Sequence, residues 1–212
     1  MNLETYLFLF IVFLIMLVFM YFIYYKKEGF MNVDNKTIIL LGDSMLANNG
    51  YVKAGYSIQN IIEKTFSKDH FLMLARNNST IQDVFYQLEK IPFDLDKPTT
   101  NIFLSVGGND LLKNNLNLVK VNKIFDKYTL LVDAIITKLP NAKLFLLTLY
   151  FPLDQPDHPY VKVWNKKIKQ LMPFRNIIDT SMLITSKNDI VYNIEPSLSG
   201  GQKIANSILQ RV

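Results

Sequence analysis

The chain has 212 residues, half of them hydrophobic, no cysteine, and a formal net charge of +5. Without cysteine there is no disulfide scaffold, Cys-ligated zinc or thiol nucleophile, and with only two histidines, His70 and His158, a multi-histidine metal site is excluded. The lysines are scattered rather than gathered on one face with interleaved aromatics, so nothing in the sequence asks for a nucleic-acid partner.

Residues Tyr6 to Tyr25 read YLFLFIVFLIMLVFMYFIYY, an uncharged run. It has the length of about 20 residues that a helix needs to cross a bilayer. Tyr21, Tyr24 and Tyr25 suit an interfacial belt at its end. A cleaved signal peptide would start with basic residues and end in a small-residue cleavage site. This start carries Glu4 and no Lys or Arg, and no Ala-x-Ala follows. A buried soluble helix seldom runs so far without a polar residue. The expectation is a single-pass transmembrane anchor over residues 1–27. Lys26 and Lys27 then place the rest of the chain on the cytoplasmic side. Residues 28–36 read as a polar linker, and 37–212 as one domain long enough for a single core.

Within that domain short apolar runs alternate with amphipathic stretches. The strand candidates are Thr37–Leu41, Phe71–Ala75, Ile102–Val106, Leu144–Leu149 and a weaker Arg175–Asp179, with Asp189–Tyr192 as a short extra piece. The runs are apolar nearly throughout, as in strands buried on both faces. Between them, helical periods place Ile58, Ile61, Ile62 and Phe66 on one face, then Ile81, Val84, Phe85 and Leu88. A longer stripe runs from Ile124 through Tyr128, Leu131, Val132 and Ile135 to Leu139. Trp164, Ile168, Leu171 and Met172 follow, then Ile204, Ile208 and Val212. This alternation predicts an α/β domain, a parallel sheet covered by helices.

Ligands of such sheets bind beyond the carboxyl ends of the strands, so chemistry is sought in the loops that follow them. After the first strand comes Gly42-Asp43-Ser44, and after the second Asn77-Asn78-Ser79-Thr80. After the third comes Gly107-Gly108-Asn109-Asp110, and after the fourth a proline-rich loop with Asp154, Asp157 and His158. Glu195-Pro196-Ser197 precedes the last helix. Each alone reads as turn or cap chemistry. Together they put a serine, amide donors and acids on one rim. His70, ahead of the second strand, falls on the opposite rim and is expected to be structural.

Gly42-Asp43-Ser44 resembles the first sequence block of the GDSL/SGNH hydrolases, in which the serine is the nucleophile. Val106-Gly107-Gly108-Asn109-Asp110 resembles the third, whose asparagine helps form the oxyanion hole. Asn77 to Asp83 sits where the second block lies. Residues 195–205 are similar to the closing motif, in which Asp-x-x-His precedes Pro-Ser and a helix. The resemblance spans residues 37–212 and implies a three-layer α/β/α sandwich with a five-stranded parallel, flavodoxin-like sheet. It implies an oxyanion hole from the Ser44 N–H, an N–H at Asn78 and the Asn109 side chain, supported by Asp43, Gly108 and Asp110. Two positions depart from the pattern: Glu195 stands at the histidine and Tyr192 at the acid.

Three readings of the general base follow. His158 could serve from its own loop, oriented by Asp154 or Asp157, since histidine titrates near neutrality. Glu195 could serve if burial raises its pKa from the ordinary value near 4.3. Or the chain binds without turnover, because losing a base removes rate while leaving a pocket. The expected activity is serine-dependent hydrolysis or transfer of a small-molecule or lipid acyl ester at a membrane, with no metal or organic cofactor. The alternative is a membrane-tethered binding protein. No feature fixes the oligomeric state.

Overall fold

In the computed structural model, Thr5 and residues 12–18, 36–66, 70–112 and 117–212 are described. The chain divides into two units, residues 1–35 and 36–212. In the first, residues 12–18 are helical and exposed. Most of the expected span, Tyr6–Tyr25, lies outside the described residues. Among the described residues no helix is long and apolar enough to cross a membrane.

In the second unit five strands form one parallel sheet: β1 (Thr37–Gly42), β2 (Phe71–Met73), β3 (Thr100–Ser105), β4 (Lys143–Leu147) and β5 (Ile177–Ile178). Their order is β2-β1-β3-β4-β5. Every residue of β1 and β3 is buried, which requires cover on both faces of the sheet. That cover comes as two groups of helices. The first pairs α1 (Ile58–Glu63) with the C-terminal helix, Leu198–Leu209. The second is the packed series α2 (Ile81–Glu89), the 21-residue helix Leu118–Lys138 and the helix Pro159–Leu171. In chain order the short helix Gly108–Leu111 is α3, Leu118–Lys138 is α4, Pro159–Leu171 is α5, Thr180–Leu183 is α6 and Leu198–Leu209 is α7.

The predicted stripes are the buried ones. In α4, Tyr128, Leu131 and Ile135 are buried, and Tyr128 and Phe125 meet Trp164 of α5 edge-on at 5.2 and 5.1 Å between ring centroids. Such an aromatic cluster excludes a large area from water at little entropic cost. Capping is local: the Asp83 carboxylate takes both the N–H and the hydroxyl of Thr80 at the start of α2.

Two expected strands form but are shorter than predicted. The fifth strand is only two residues long, and Asp179 leaves it to accept hydrogen bonds from Thr148 and Ser181 and to pair with Lys169. The extra piece expected at Asp189–Tyr192 forms, outside the main sheet. Ile190–Val191 (β6) instead pairs antiparallel with Glu195–Pro196 (β7) in a separate hairpin.

The strand order fixes where a site can form. From β1 the chain turns to β2 on one side, and from β3 to β4 on the other. The loops leaving these neighbours therefore diverge and open a crevice at their carboxyl ends. Gly42 and Ser105 are paired residues at that edge.

Candidate active site

The crevice is shaped by two glycines with no alternative. Gly42 has φ +138°, and a Cβ there would lie 1.8 Å from the Ser105 carbonyl oxygen. Gly107 has φ +115°, and a Cβ there would lie 2.2 Å from the Trp164 ring. Both hold conformations that L side chains rarely adopt.

Beyond Gly42 the chain turns at once. The Asp43 carbonyl accepts the N–H groups of Leu46 and Ala47, at 3.1 and 3.0 Å. Ser44 sits in this turn, and its Oγ donates to Glu195 Oε1 at 3.1 Å. Among the described residues the Ser44 N–H has no backbone acceptor. Gln87, on the buried face of α2, braces the approach: its amide accepts the Gly42 N–H at 2.8 Å and donates to the Gly42 carbonyl at 2.9 Å and to Ser79 Oγ at 3.1 Å.

Beyond Gly107, α3 carries Asn109 and Asp110. Asn109 Nδ2 donates to the Ser79 carbonyl at 2.9 Å, and Asp110 Oδ2 accepts the Ile81 N–H at 3.0 Å. The loop after β3 is thus tied to the loop after β2. Asn78 in the latter has φ +61°, a left-handed conformation that Asn tolerates better than most residues.

Glu195 reaches Ser44 because of the hairpin. Tyr192 and Asn193 turn it with φ of +48° and +72°. Asn193 accepts the N–H groups of Leu153 and Asp154, and the Ile194 carbonyl accepts the Tyr150 hydroxyl at 2.6 Å. The loop after β4 is itself clamped by buried Asn165, which bonds both the N–H and the carbonyl of Leu149. Glu195 is 6% exposed, and its Oε2 is buried without a hydrogen-bond partner. Burial pushes its carboxyl above the ordinary range, and the Ser44 hydroxyl and the nearby Tyr51 phenol oppose that rise in part. Asp43 is pushed up to about 7, first by burial and further by the charges of Glu195 and Asp110, while the Met45 N–H pulls it down.

A cavity of about 70 Å³ brings Ser44, Asn109, Glu195 and His158 to one wall set, with Asp43 and Gly108. The rest of the lining is largely apolar, including Leu111, Leu149, Pro152, Val161 and Ile194. His158 caps α5, its ring lies 5.5 Å from that of Tyr160, and its Nδ1 is buried without a hydrogen-bond partner. Neither expected partner is bonded to that nitrogen, and Asp157 pairs instead with Lys162 at 2.8 Å. Asn78 lines an adjoining hollow rather than this cavity. Tyr192, at the acid position, is 77% exposed and holds no partner for Glu195. His70 stands ahead of β2, at the other end of the sheet.

Chains with this architecture are known. A lipolytic G-D-S-L family protein from Veillonella parvula aligns at a TM-score of 0.68 and 19% identity, over 82% of this chain and 97% of that one. The fold is that of the GDSL/SGNH hydrolases. A lipase from a goat rumen metagenome aligns at 0.64 and 17% identity, over 83% and 97%. A psychrotrophic esterase from a Pseudoalteromonas species, in a structure inhibited by monoethylphosphonate, aligns at 0.58 and 16%, over 82% and 94%. No protein-family model and no curated protein matches the sequence. At such identities the likeness to GDSL/SGNH hydrolases establishes the fold, and the chemistry rests on the residues in the cleft.

Gln87, Tyr150, Asn165 and Tyr51 did not stand out in the sequence. The one legible signal was Gln87 and Asn165 as polar residues on otherwise apolar helix faces, three residues after Val84 and one after Trp164.

Proposed function

We propose that the chain hydrolyses acyl esters with Ser44 as nucleophile and Glu195 as general base. The observation that carries this is the 3.1 Å hydrogen bond from Ser44 Oγ to Glu195 Oε1 inside a cleft that Asn109 also lines. Glu195 takes the Ser44 proton as Oγ attacks the ester carbonyl. The oxyanion is held by the Ser44 N–H and by Asn109 Nδ2, whose second hydrogen is left over from its bond to Ser79. The tetrahedral adduct collapses, the C–O bond to the alcohol breaks, and the protonated Glu195 returns its proton to the departing alkoxide. Water then repeats the sequence on the acyl-Ser44 ester. A carboxylate lifted by burial is a better base than an exposed one, and the unpartnered Oε2 leaves the proton a place to rest.

The test is hydrolysis of p-nitrophenyl butyrate by the full chain in detergent. Turnover that disappears in Ser44→Ala, with a fluorophosphonate labelling Ser44 in the wild type, supports the reading. The competing reading is a tethered binding protein without turnover, favoured by the absence of any acid orienting Glu195 among the described residues. It predicts no ester cleavage and no label. Residues 6–25 are proposed as a membrane anchor with the domain on the cytoplasmic side. Protease protection of 36–212 in sealed membranes would support that orientation only if lysis of the correct compartment exposes it.

A further inference from the structure

A base that activates a serine is itself held in place by a third group. Glu195 has no acid in that role, and the hairpin carries the largely exposed Tyr192 instead. What Tyr192 does meet is another ring: it packs on Tyr51 at 6.2 Å between centroids, tilted by 60°. The Tyr51 phenol in turn lies beside the Glu195 carboxylate. The hairpin that brings Glu195 to Ser44 thus carries, at its turn, a ring that backs a phenol set against the same carboxylate.

Tyr51 is fixed from its own side as well. It ends the single-turn helix Asn48–Gly50, and its N–H donates to the Asn48 carbonyl at 3.1 Å. Asn48 is fully buried, and its Oδ1 accepts the Ile58 N–H at the start of α1 at 2.8 Å. The backbone of Tyr51 is therefore tied to the core, while its ring meets the hairpin. The carboxylate has room for what the phenol offers: Oε1 takes the Ser44 hydroxyl at 3.1 Å, and Oε2 is buried with no hydrogen-bond partner. The other titratable groups around it are placed otherwise. Asp43 accepts the Met45 N–H, the Tyr150 hydroxyl is spent on the Ile194 carbonyl at 2.6 Å, and His158 lines the cleft from the start of α5. Among the described residues no cation pairs with Glu195.

We infer that Tyr51 is a positioning residue for Glu195: backed by the Tyr192 ring, its phenol donates to one lone pair of Oε2, aims the base at Ser44 and keeps it ionised. This rests on the ester-hydrolase reading above. Catalytic hydrogen bonds are often long in an empty site and tighten when substrate binds, and the other lone pair of Oε2 stays open. Burial and the Glu195 charge both raise the Tyr51 phenol, so it remains a donor wherever the carboxylate is charged.

The experiment follows kcat and KM for p-nitrophenyl butyrate against pH, with the full chain in detergent, in the wild type, Tyr51→Phe, Tyr192→Ala and Tyr192→Phe. Loss of the phenol removes a donor that stabilises the charged carboxylate. In Tyr51→Phe the acid limb of kcat should therefore move to higher pH, with activity at a fixed pH on that limb down by roughly tenfold, the size of one hydrogen bond to a charged group. KM should hold, because Tyr51 does not line the cleft. The alkaline limb should stay in place, because Asp43 answers to burial, Glu195 and Asp110 rather than to Tyr51. Tyr192→Ala should move the acid limb the same way by less, and Tyr192→Phe, which keeps the ring, should return it to the wild-type pH. An acid limb that stays still in Tyr51→Phe, or an equal loss at every pH, makes the phenol a packing group and overturns the inference. If the wild type cleaves no ester, the hydrolase reading fails by itself. Tyr51 is then judged by carbon-13 carboxyl NMR, with the Glu195 signal assigned by its loss in Glu195→Gln: Glu195 must titrate at higher pH in Tyr51→Phe than in the wild type, or the inference falls.

Discussion

Two buried acids six residues apart, Asp189 and Glu195, are held in opposite ways. Asp189, 1% exposed, is satisfied on every side: Lys203 Nζ lies 2.6 Å from Oδ2, Ser199 donates to Oδ1, and the Ser186 N–H donates to Oδ2. Burial opposes its charge, but these partners outweigh burial and hold its pKa below the ordinary value. Glu195 has only neutral hydroxyls near it, Ser44 and the Tyr51 phenol, and no cation, so burial wins and its pKa rises. A carboxylate with all its lone pairs engaged holds the fold together. One left short of partners costs stability and can accept a proton from the group it touches. The two sit at either end of one hairpin: Asp189 anchors α7 and the start of β6, and this rigid base lets the hairpin carry Glu195 to Ser44.

The contrast is broken most severely at the nucleophile. Ser44→Ala should lower ester kcat/KM by about 10⁴-fold or more, measured against a neutral short-chain ester. Glu195→Gln should cost about 10³-fold with little loss of Tm, because the amide removes the base and no cation is left unpaired. Asp189→Asn should do the reverse. Loss of the Lys203 pair and the serine bonds is expected to destabilise by about 2–3 kcal/mol in urea unfolding, with kcat of the folded fraction kept within about threefold of wild type. If Asp189→Asn kills activity in a protein that unfolds normally, the division between the two acids is wrong.

The oxyanion donor comes next. Asn109→Ala should cost about 10²-fold in kcat and, by freeing the Ser79 carbonyl, a smaller amount of stability. The pH profile separates the acids further. Activity should fall as pH drops through the raised pKa of Glu195, since protonation removes the base. It should fall again as Asp43 ionises around 7 and puts a second negative charge beside the oxyanion. Stability runs with opposite signs. Asp43 has a folded pKa above its unfolded one, so its contribution is complete below the ordinary value of 3.8 and is lost as pH rises through about 7. Asp189 has a folded pKa below 3.8, so its contribution is complete above that value and is lost as pH falls through the depressed one. Asp43→Asn should therefore raise Tm at pH 8 and leave it unchanged at pH 4. The smallest effect is expected of His158→Ala, less than about tenfold in kcat/KM. A loss as large as that of Glu195→Gln would move the base to the histidine.

The sequence by itself determined the five parallel strands, the buried stripes, and the placing of Ser44 and Asn109 on one rim. Runs of β-branched and aliphatic residues that alternate with 3.6-residue periods leave few other ways to bury apolar surface, and Gly42 and Gly107 mark backbone that no other residue can adopt. It could not say which of Glu195 and His158 meets Ser44. That depends on a hairpin turned by Tyr192 and Asn193 and clasped by Tyr150 and the loop after β4, contacts made between segments some 40 residues apart. Nor could it distinguish Asp189 from Glu195 as acids, because a carboxylate's pKa is set by what surrounds it, and those neighbours assemble only when the chain folds.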